Sequence, residues 1–370
     1  MRNKVTLGEL CNPSIGQIKE NSDTLIDYID ISSVDNETKS IIGFQTMLFS
    51  DAPSRARKGI KKNNVLVSTV RPNLNAVAVY ECETLNKAVV STGFCVLDCK
   101  ENVDYRFVFN FCRSKTFIDD MVSQATGASY PAVSDKIVRA SLIPEYSYEE
   151  QCQISYVLDL VSRIIECRKK QLAKLDELVK ARFVELFGLP VSNSQKWNTE
   201  KMNEIAPAIN YSGNFEETVW LLNLDMVEAQ TGRIIDYLYV SEEDVGNSTC
   251  TFDTSNVLYS KLRPYLNKVV IPDRCGYATS EMIPLKPNPM KLERTYLAFM
   301  LRSDEFVNMI NEKVAGAKMP RVSMNDFRDF DVPVPPMEIQ KQFAAFVEQV
   351  DKSKFAVQKS LMKHRPYLTA

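Results

Sequence analysis

Two blocks of this sequence recur in the same order. Val65-Leu66-Val67-Ser68-Thr69-Val70-Arg71-Pro72-Asn73-Leu74-Asn75 agrees with Val257-Leu258-Tyr259-Ser260-Lys261-Leu262-Arg263-Pro264-Tyr265-Leu266-Asn267 at seven of eleven positions, 192 residues further on. Gly127-Ala128-Ser129-Tyr130-Pro131-Ala132-Val133-Ser134 agrees with Gly316-Ala317-Lys318-Met319-Pro320-Arg321-Val322-Ser323 at five of eight, at an offset of 189. Upstream, Ile29-Asp30-Ile31 and Ile41-Ile42 answer to Leu222-Asn223-Leu224 and Ile234-Ile235 at an offset of 193. A slowly drifting offset is what short loop insertions between retained elements produce, so two related domains of about 140 residues each are expected, an ordinary domain size. The length of 370 residues also favours two cores over one.

Inside each repeat the elements read as short and mixed. Val65 to Val70 and Ala76 to Tyr80 are β-rich runs broken at Arg71-Pro72-Asn73, and Val257 to Leu262 and Lys268 to Ile271 repeat them. Arg106 to Met121 and Arg294 to Ile310 carry apolar residues at helical spacing, which predicts a helix in each repeat. The fold class expected is α+β.

The segment after each domain differs in kind. Ser147-Tyr148-Glu149-Glu150 is a capping box, Gly188-Leu189-Pro190 is a helix stop, and the forty residues between them contain neither Gly nor Pro. That is about 60 Å of helix at 1.5 Å per residue. Ile154, Leu158, Val161, Ile165, Leu172, Leu175, Val179 and Leu186 step by fours and threes as a coiled-coil seam, with Arg168 and Arg182 in two of its slots. Asp159 with Arg163, Glu166 with Lys170 and Asp176 with Lys180 are acid-first pairs four residues apart, expected on an exposed helix face. After the second domain, Pro333-Val334-Pro335-Pro336 leads into Met337 to Arg365, with Ile339, Phe343, Phe346, Val350, Val357 and Leu361 at comparable spacing and Pro366 as the stop. The two helices are expected to bury their seams against each other antiparallel, since neither seam tolerates exposure alone. The expected divisions are 1–146 and 189–335 for the domains, and 147–188 and 336–370 for the helices.

Composition closes several catalytic routes. The single histidine, His364, leaves no Ser-His-Asp or Cys-His centre and no His-rich zinc site. Among nine cysteines the closest pair is Cys95 and Cys99, with no second pair to complete a zinc cage. Neither glycine-rich phosphate cradle occurs. No catalytic residue, metal or cofactor is expected. The longest uncharged stretch, Met121 to Ser134, is too short and too polar for a membrane span. The opening Met1-Arg2-Asn3-Lys4-Val5-Thr6 lacks the apolar core of a secretory signal, so reduced thiols and a cytoplasmic location are expected.

Charge is informative where it is clustered, because 45 basic side chains nearly balance 47 acidic ones. Arg55-Ala56-Arg57-Lys58-Gly59-Ile60-Lys61-Lys62 places five cations in eight residues with no acid among them. Two related domains on a stiff spacer suit a partner with two half-sites, such as duplex DNA approached from one side at intervals of about 34 Å. Asn73 and Tyr265, Ser129 and Lys318, and Ala132 and Arg321 differ inside otherwise matching blocks, so the domains are expected to read different sequences.

The run Lys58-Gly59-Ile60-Lys61-Lys62-Asn63-Asn64-Val65-Leu66-Val67-Ser68-Thr69-Val70-Arg71-Pro72, the Gly-Ala-x-x-Pro-x-Val-Ser blocks at 127 and 316, and Glu149-Glu150-Gln151 or Glu338-Ile339-Gln340 at a helix start together resemble the specificity subunit of type I restriction-modification systems. The resemblance covers the whole chain in duplicate. It implies two target-recognition domains on double-stranded DNA, two spacer helices, and assembly with two methyltransferase subunits and with restriction subunits, away from any membrane. It also implies that methyl transfer belongs to the partner, in keeping with the absence of an Asn/Asp-Pro-Pro-Tyr/Phe stretch; Asn12-Pro13-Ser14-Ile15 is not one. In one respect the sequence departs from a balanced pair: the second helix is some eleven residues shorter, which leaves the first helix near Ile154 to Val161 without a full partner in the chain.

Candidates for DNA contact come from the same blocks. Arg71 and Arg263 are common to both repeats, so phosphate or structural roles outweigh base reading, because a shared residue cannot distinguish two targets. Arg55, Arg57, Lys58, Lys61 and Lys62 are phosphate candidates in the first repeat, and Lys261, Lys268, Lys318 and Arg321 in the second. Asn73, Ser129, Tyr130 and Tyr265, with Asn210 and Tyr211, are candidates for base contact. Gly127 and Gly316 are expected to serve the backbone. Two other readings are a scaffold that binds proteins only, and a nuclease built on Pro272-Asp273 and Glu281; Met282-Ile283 breaks the usual metal-site pattern of the latter.

Overall fold

The structure is a computed structural model and describes residues 2–13, 16–18, 23–82, 84–313 and 319–364. It divides into two compact units, Met1–Lys170 with Val357–Ala370, and Gln171–Ala356. In the first, a four-stranded sheet runs in the order Gln45–Leu48, Leu25–Ile29, Lys87–Ser91, Ala56–Gly59, with the central pair parallel and both flanks antiparallel. Beside it lies a three-stranded antiparallel sheet, Phe94–Leu97, Val65–Ser68, Val77–Val79. Lys4–Thr6 pairs with Leu142–Pro144.

The second unit has the same topology. Its four strands are Leu238–Ser241, Thr218–Leu222, Gly276–Thr279 and Thr249–Phe252, again with a parallel centre. Its three are Val269–Val270, Val257–Ser260 and Met282–Leu285, and Thr199–Lys201 pairs with Asp331–Pro333. The repeat visible in two sequence blocks therefore extends through the four-, three- and two-stranded sheets described, while the short pair Val34–Asp35 and Ser40–Ile41 of the first unit is reduced to the single bridge Val227 to Ile234 in the second.

Burial explains why the best-matched block is so apolar. Every residue of Val65–Ser68 and of Val257–Ser260 is buried. Alternate side chains leave a strand on opposite faces. Val65 and Val67 pack with Phe107, Val108 and Phe117, while Leu66 packs with Ala78, Val90 and Phe94. Val257 and Tyr259 likewise join the helical core of their unit, and Leu258 packs with Trp220 and Phe252. A strand covered on both faces reads as a continuous apolar run.

The helix expected over Arg106 to Met121 is two, Tyr105–Cys112 and Lys115–Ser123, and that over Arg294 to Ile310 is also two, Arg294–Arg302 and Asp304–Glu312. A serine causes each break. Ser114 Oγ accepts from Phe117 N and Ser303 Oγ from Phe306 N, each capping a new first turn. Apolar spacing continues across the break, so periodicity alone does not reveal it.

The first long helix is Tyr148–Phe187. Its capping box forms: Ser147 N donates to Glu150 Oε2 at 2.9 Å, and Glu150 N donates to Ser147 Oγ at 3.3 Å. It stops at Gly188, whose φ of +73° few other residues accept. The second is Met337–His364; Arg365 and the Pro366 stop lie outside the described residues. Within the second unit the two pair antiparallel, with Phe183 and Phe187 against Phe343 and with Asp176 Oδ1 2.6 Å from Lys354 Nζ. Val179, Phe343 and Val350 are buried there, and Leu175, Leu186, Ile339 and Phe346 pack around them. Phe183, Phe187 and Val347, outside the expected seam, are its most buried additions, because the aromatic core of the domain reaches up to meet the helices. In the first unit Ile154 packs on the domain core, Leu158, Val161, Ile165 and Leu361 are half-buried, and Val357 is buried. Leu172, in the second unit, is also half-buried.

Of the expected charge pairs, only Glu166 with Lys170 forms, at 2.6 Å. Asp159 turns to Arg106 instead of Arg163, Asp176 to Lys354, and Lys180 to Asp304. Tertiary partners outcompete a surface pair worth a few tenths of a kcal/mol, roughly.

Candidate nucleic-acid interface

The two motifs picked out by repetition meet in space. In Arg71-Pro72-Asn73-Leu74-Asn75 a short 3-10 turn is bracketed by Arg71 and Asn75, both left-handed, at φ 50° and 47°. Arg263 and Asn267 bracket the second turn at φ 50° and 51°. Left-handed backbone is costly for an arginine and needs support from its surroundings. That support comes from the other motif: Arg71 N donates to Pro131 O at 2.7 Å, and Arg263 N to Pro320 O at 2.8 Å. Val133 N donates to Thr69 O, and Val322 N to Lys261 O, both at 2.9 Å. The asparagines close the frame. Asn75 Nδ2 donates to Cys112 O and Asn267 Nδ2 to Arg302 O, each at 2.9 Å. Ser134 and Ser323, the last residues of the second motif, cap Asp135–Ala140 and Met324–Arg328.

The third shared feature also serves the frame. Buried Gln151 accepts from Asp104 N at 3.0 Å, and buried Gln340 accepts from Glu293 N at 2.8 Å. Asp104 and Glu293 cap the first helix of the pair in their own domains. The glutamine thus ties the start of each long helix to its domain.

On this common frame the exposed tips differ. Thr126 and Ala132 exchange two backbone hydrogen bonds and pinch off the loop 127–131, where Gly127 has φ +102° and a Cβ would meet Tyr130 O at 2.8 Å. Ser129 is exposed, and Tyr130, 69% exposed, lies under the Arg71 guanidinium at 4.8 Å, beside exposed Asn73. The second unit presents Arg263, Tyr265 at 48% exposure and Met319. Gly316 and Lys318 lie outside the described residues.

The basic run is less free than its sequence implies. Arg55 pairs with Asp30 at 2.6 Å and Lys61 with Asp98 at 2.9 Å, both lysine and arginine side chains staying largely exposed. Arg57 stacks on Phe49 and donates to backbone carbonyls. Lys58 is drawn inward onto Asp135 and the Phe94 carbonyl. Lys62 is exposed. In the second unit Arg321 pairs with Glu281 at 2.8 Å, and that hydrogen bond holds the Glu281 carboxyl below its usual range. Lys268 donates to Leu224 O, and burial lowers its pKa. Lys261 is half-buried. Asn210 is exposed, whereas Tyr211 packs on Phe215.

Sequence reasoning passed over two groups. Arg274 stacks over Tyr237, contacts the Tyr239 hydroxyl and pairs with Asp273 at 2.9 Å, forming an exposed aromatic and guanidinium cluster foreshadowed only by the alternation Tyr237-Leu238-Tyr239. Lys39, at a left-handed position of φ 57°, donates to Asn75 O at 2.5 Å and so joins the hairpin Val34 to Ile41 to the Arg-Pro turn. No local pattern announces that contact. Asp273 and Glu281 are both occupied by arginines, and among the described residues no group of three or more His, Cys, Asp or Glu is placed to hold a metal ion. None of the described helices is long and apolar enough to cross a membrane.

Residues 190–363 match the family model described as the type I restriction modification DNA specificity domain. The EcoDI specificity subunit of Escherichia coli is 26% identical over 179 residues, 48% of this chain and 39% of that protein. The MjaIX specificity subunit of Methanocaldococcus jannaschii is 20% identical over 332 residues, 81% of this chain and 74% of that one. The chain thus spans only about two fifths of the Escherichia coli relative. A solved structure concerned with complex assembly and conformational transition of the type I restriction-modification system aligns with a TM-score of 0.66 at 22% identity, covering 99% of this chain and 94% of the other. The system's S subunit from M. genitalium aligns with a TM-score of 0.55 at 15% identity over 99% and 94%. These two likenesses are of fold.

Proposed function

We propose that this chain, which belongs to the type I restriction-modification specificity-subunit family, recognises a bipartite, asymmetric site on double-stranded DNA and carries no catalysis of its own. The observation that supports this reading is one frame built twice with different exposed tips: Arg71 with Asn73, Ser129 and Tyr130 in one unit, Arg263 with Tyr265 and Met319 in the other. The shared arginines, with Arg55, Arg57, Lys61, Lys62, Lys261, Lys318 and Arg321, supply phosphate contacts that set register. Base reading falls to the differing tips. Lys58 and Lys268 serve the fold first.

Two methyltransferase subunits, and restriction subunits in the full complex, are the protein partners of this reading. The exposed Tyr156, Val157 and Leu160 on the first long helix support a protein neighbour there. The divisions 1–146, 147–188, 189–335 and 336–370 are kept as functional divisions, with the helices as spacers, and the cytoplasm as the working compartment.

Methylation mapping in cells that carry this chain with its partners tests the reading. A split adenine-methylated motif with unlike halves is the expected result. Absence of any methylated motif, together with duplex affinity that does not respond to salt, leaves the protein-only scaffold.

A further inference from the structure

Each unit carries the same small hairpin, and in each it leans on the Arg-Pro turn. In the first unit Lys39 N donates to Asp35 O and Ile42 N to Ser33 O, both at 2.9 Å. In the second, Gly232 N donates to Glu228 O at 3.1 Å and Ile235 N to Met226 O at 2.9 Å. These bonds correspond at the offset of 193, so Gly232 stands where Lys39 does and Gln230 where Glu37 does. The first hairpin reaches its turn through Lys39 Nζ, which donates to Asn75 O at 2.5 Å, while Glu37 pairs with Lys169 at 2.7 Å.

The second hairpin reaches its turn through Gln230 and grips the tip itself. Gln230 N donates to Leu266 O at 3.0 Å, its Nε2 donates to Tyr265 O at 2.9 Å, and its Oε1 accepts from Asn267 Nδ2 at 3.3 Å. One residue thus binds three consecutive residues of the turn. Its backbone is left-handed to do so, at φ 66°, a conformation that a residue with a side chain holds only where its surroundings impose it. Gly232, also at φ +66°, lies where a Cβ would collide with Val269 O and the Arg302 guanidinium, so its lack of a side chain lets the hairpin close onto the turn. The Tyr265 backbone is held in this way while its side chain stays 48% exposed.

We propose that Gln230 is a positioning residue for the second half-site: by holding the Tyr265 carbonyl and the two residues that follow, it fixes the pose in which the tyrosine ring meets its base. Its own amide is spent on the turn. The step rests on the reading of Tyr265 as a base contact. Contacts to a base edge weaken steeply when misaligned, whereas attraction to phosphate follows charge and falls off gradually with distance. Slack in this turn therefore costs discrimination and spares general affinity for DNA. The two hairpins hold their turns at different points, Asn75 in one and Tyr265 in the other, in keeping with tips that differ.

The test uses the full chain with its methyltransferase partners, as wild type, Gln230→Met, Thr231→Val and Tyr265→Asn. Methionine keeps the bulk of the glutamine and loses its polar contacts. Thr231 bonds only within the hairpin, to Glu228 and to Arg233 N, so Thr231→Val controls for disturbance of the hairpin alone. Affinity is measured for the mapped target and for duplexes with either half scrambled. Gln230→Met should narrow the preference for the intact second half by about threefold to tenfold, the worth of one or two hydrogen bonds. Preference for the first half, affinity for scrambled duplex with its salt slope, and the unfolding midpoint should all stay at wild-type values, as should every readout of Thr231→Val. A merely structural role would lower the midpoint and weaken all duplexes together. Amide exchange of residues 263–267 in the DNA-free chain is the second readout, and Gln230→Met should quicken it. Unchanged exchange, with a second-half preference moved by Tyr265→Asn alone, overturns the proposal and leaves the reading of Tyr265 standing. Faster exchange, with a preference that neither variant moves, defeats that reading and the proposal with it.

Discussion

Lys58 and Asp135, 77 positions apart in the chain, form a 2.6 Å ion pair in which the lysine side chain is only 12% exposed. The same ammonium donates to the Phe94 carbonyl at 2.7 Å. A lysine from the most basic stretch of the sequence is thus an internal tie between a strand and a short helix.

Removing the lysine from this partly buried pair takes away two charge-assisted hydrogen bonds and leaves Asp135, whose side chain is 33% exposed, to water, at a cost of about 1–3 kcal/mol. Lys58→Ala should lower unfolding free energy in denaturant by about that amount, and Lys62→Ala by less than 0.5 kcal/mol, roughly. Equal effects would place Lys58 on the surface.

The arginine of each turn carries a charge on a strained backbone, and the two can be separated. Arg71→Gly and Arg263→Gly keep the left-handed conformation and lose the charge, so each should leave stability nearly unchanged and reduce the salt slope of duplex binding by about 0.9. Arg71→Val, β-branched, should cost about 1–2 kcal/mol of stability as well. Tyr265→Asn, by contrast, should alter the methylated motif in one half only. A change in both halves would contradict the division of labour between the units.

Phe343 is fully buried and Phe355, on the same helix, is 68% exposed. Phe343→Ala should destabilise by roughly 3–5 kcal/mol and Phe355→Ala by little, both read from denaturant midpoints. Similar losses would mean that the helix presents another face to the domain.

Lys39 titrates at about 8 instead of 10.5, chiefly through burial and then through Arg113, with Asp35 opposing. Below pH 8 the lysine is charged in the folded and unfolded chains alike, and the folded chain bears the full cost of that charge. Between pH 8 and 10.5 the unfolded chain holds more protons, so this cost fades as pH rises. Lys39→Met should therefore be more stable than the wild type at about pH 7, with the gap closing by about pH 10. A gap independent of pH would show that the charge is not the cause.

Much of this protein was legible in its residue order because the signals are local. The Ser147 and Glu150 box, the Gly188 stop and the paired Arg-Pro-x-Leu-Asn turns depend on bonds spanning a few residues, and duplication exposed them by repetition. The α+β class, the two long helices and the core strands Val65–Ser68 and Val257–Ser260 derive from such signals. Residue order left open who neutralises whom. Asp176 finds Lys354, Lys58 finds Asp135, Arg321 finds Glu281, and Lys39 meets the Asn75 carbonyl. A charge acts over a few ångströms in space, whatever its distance along the chain, so only the folded arrangement decides which cations are consumed by the fold and which remain for a ligand.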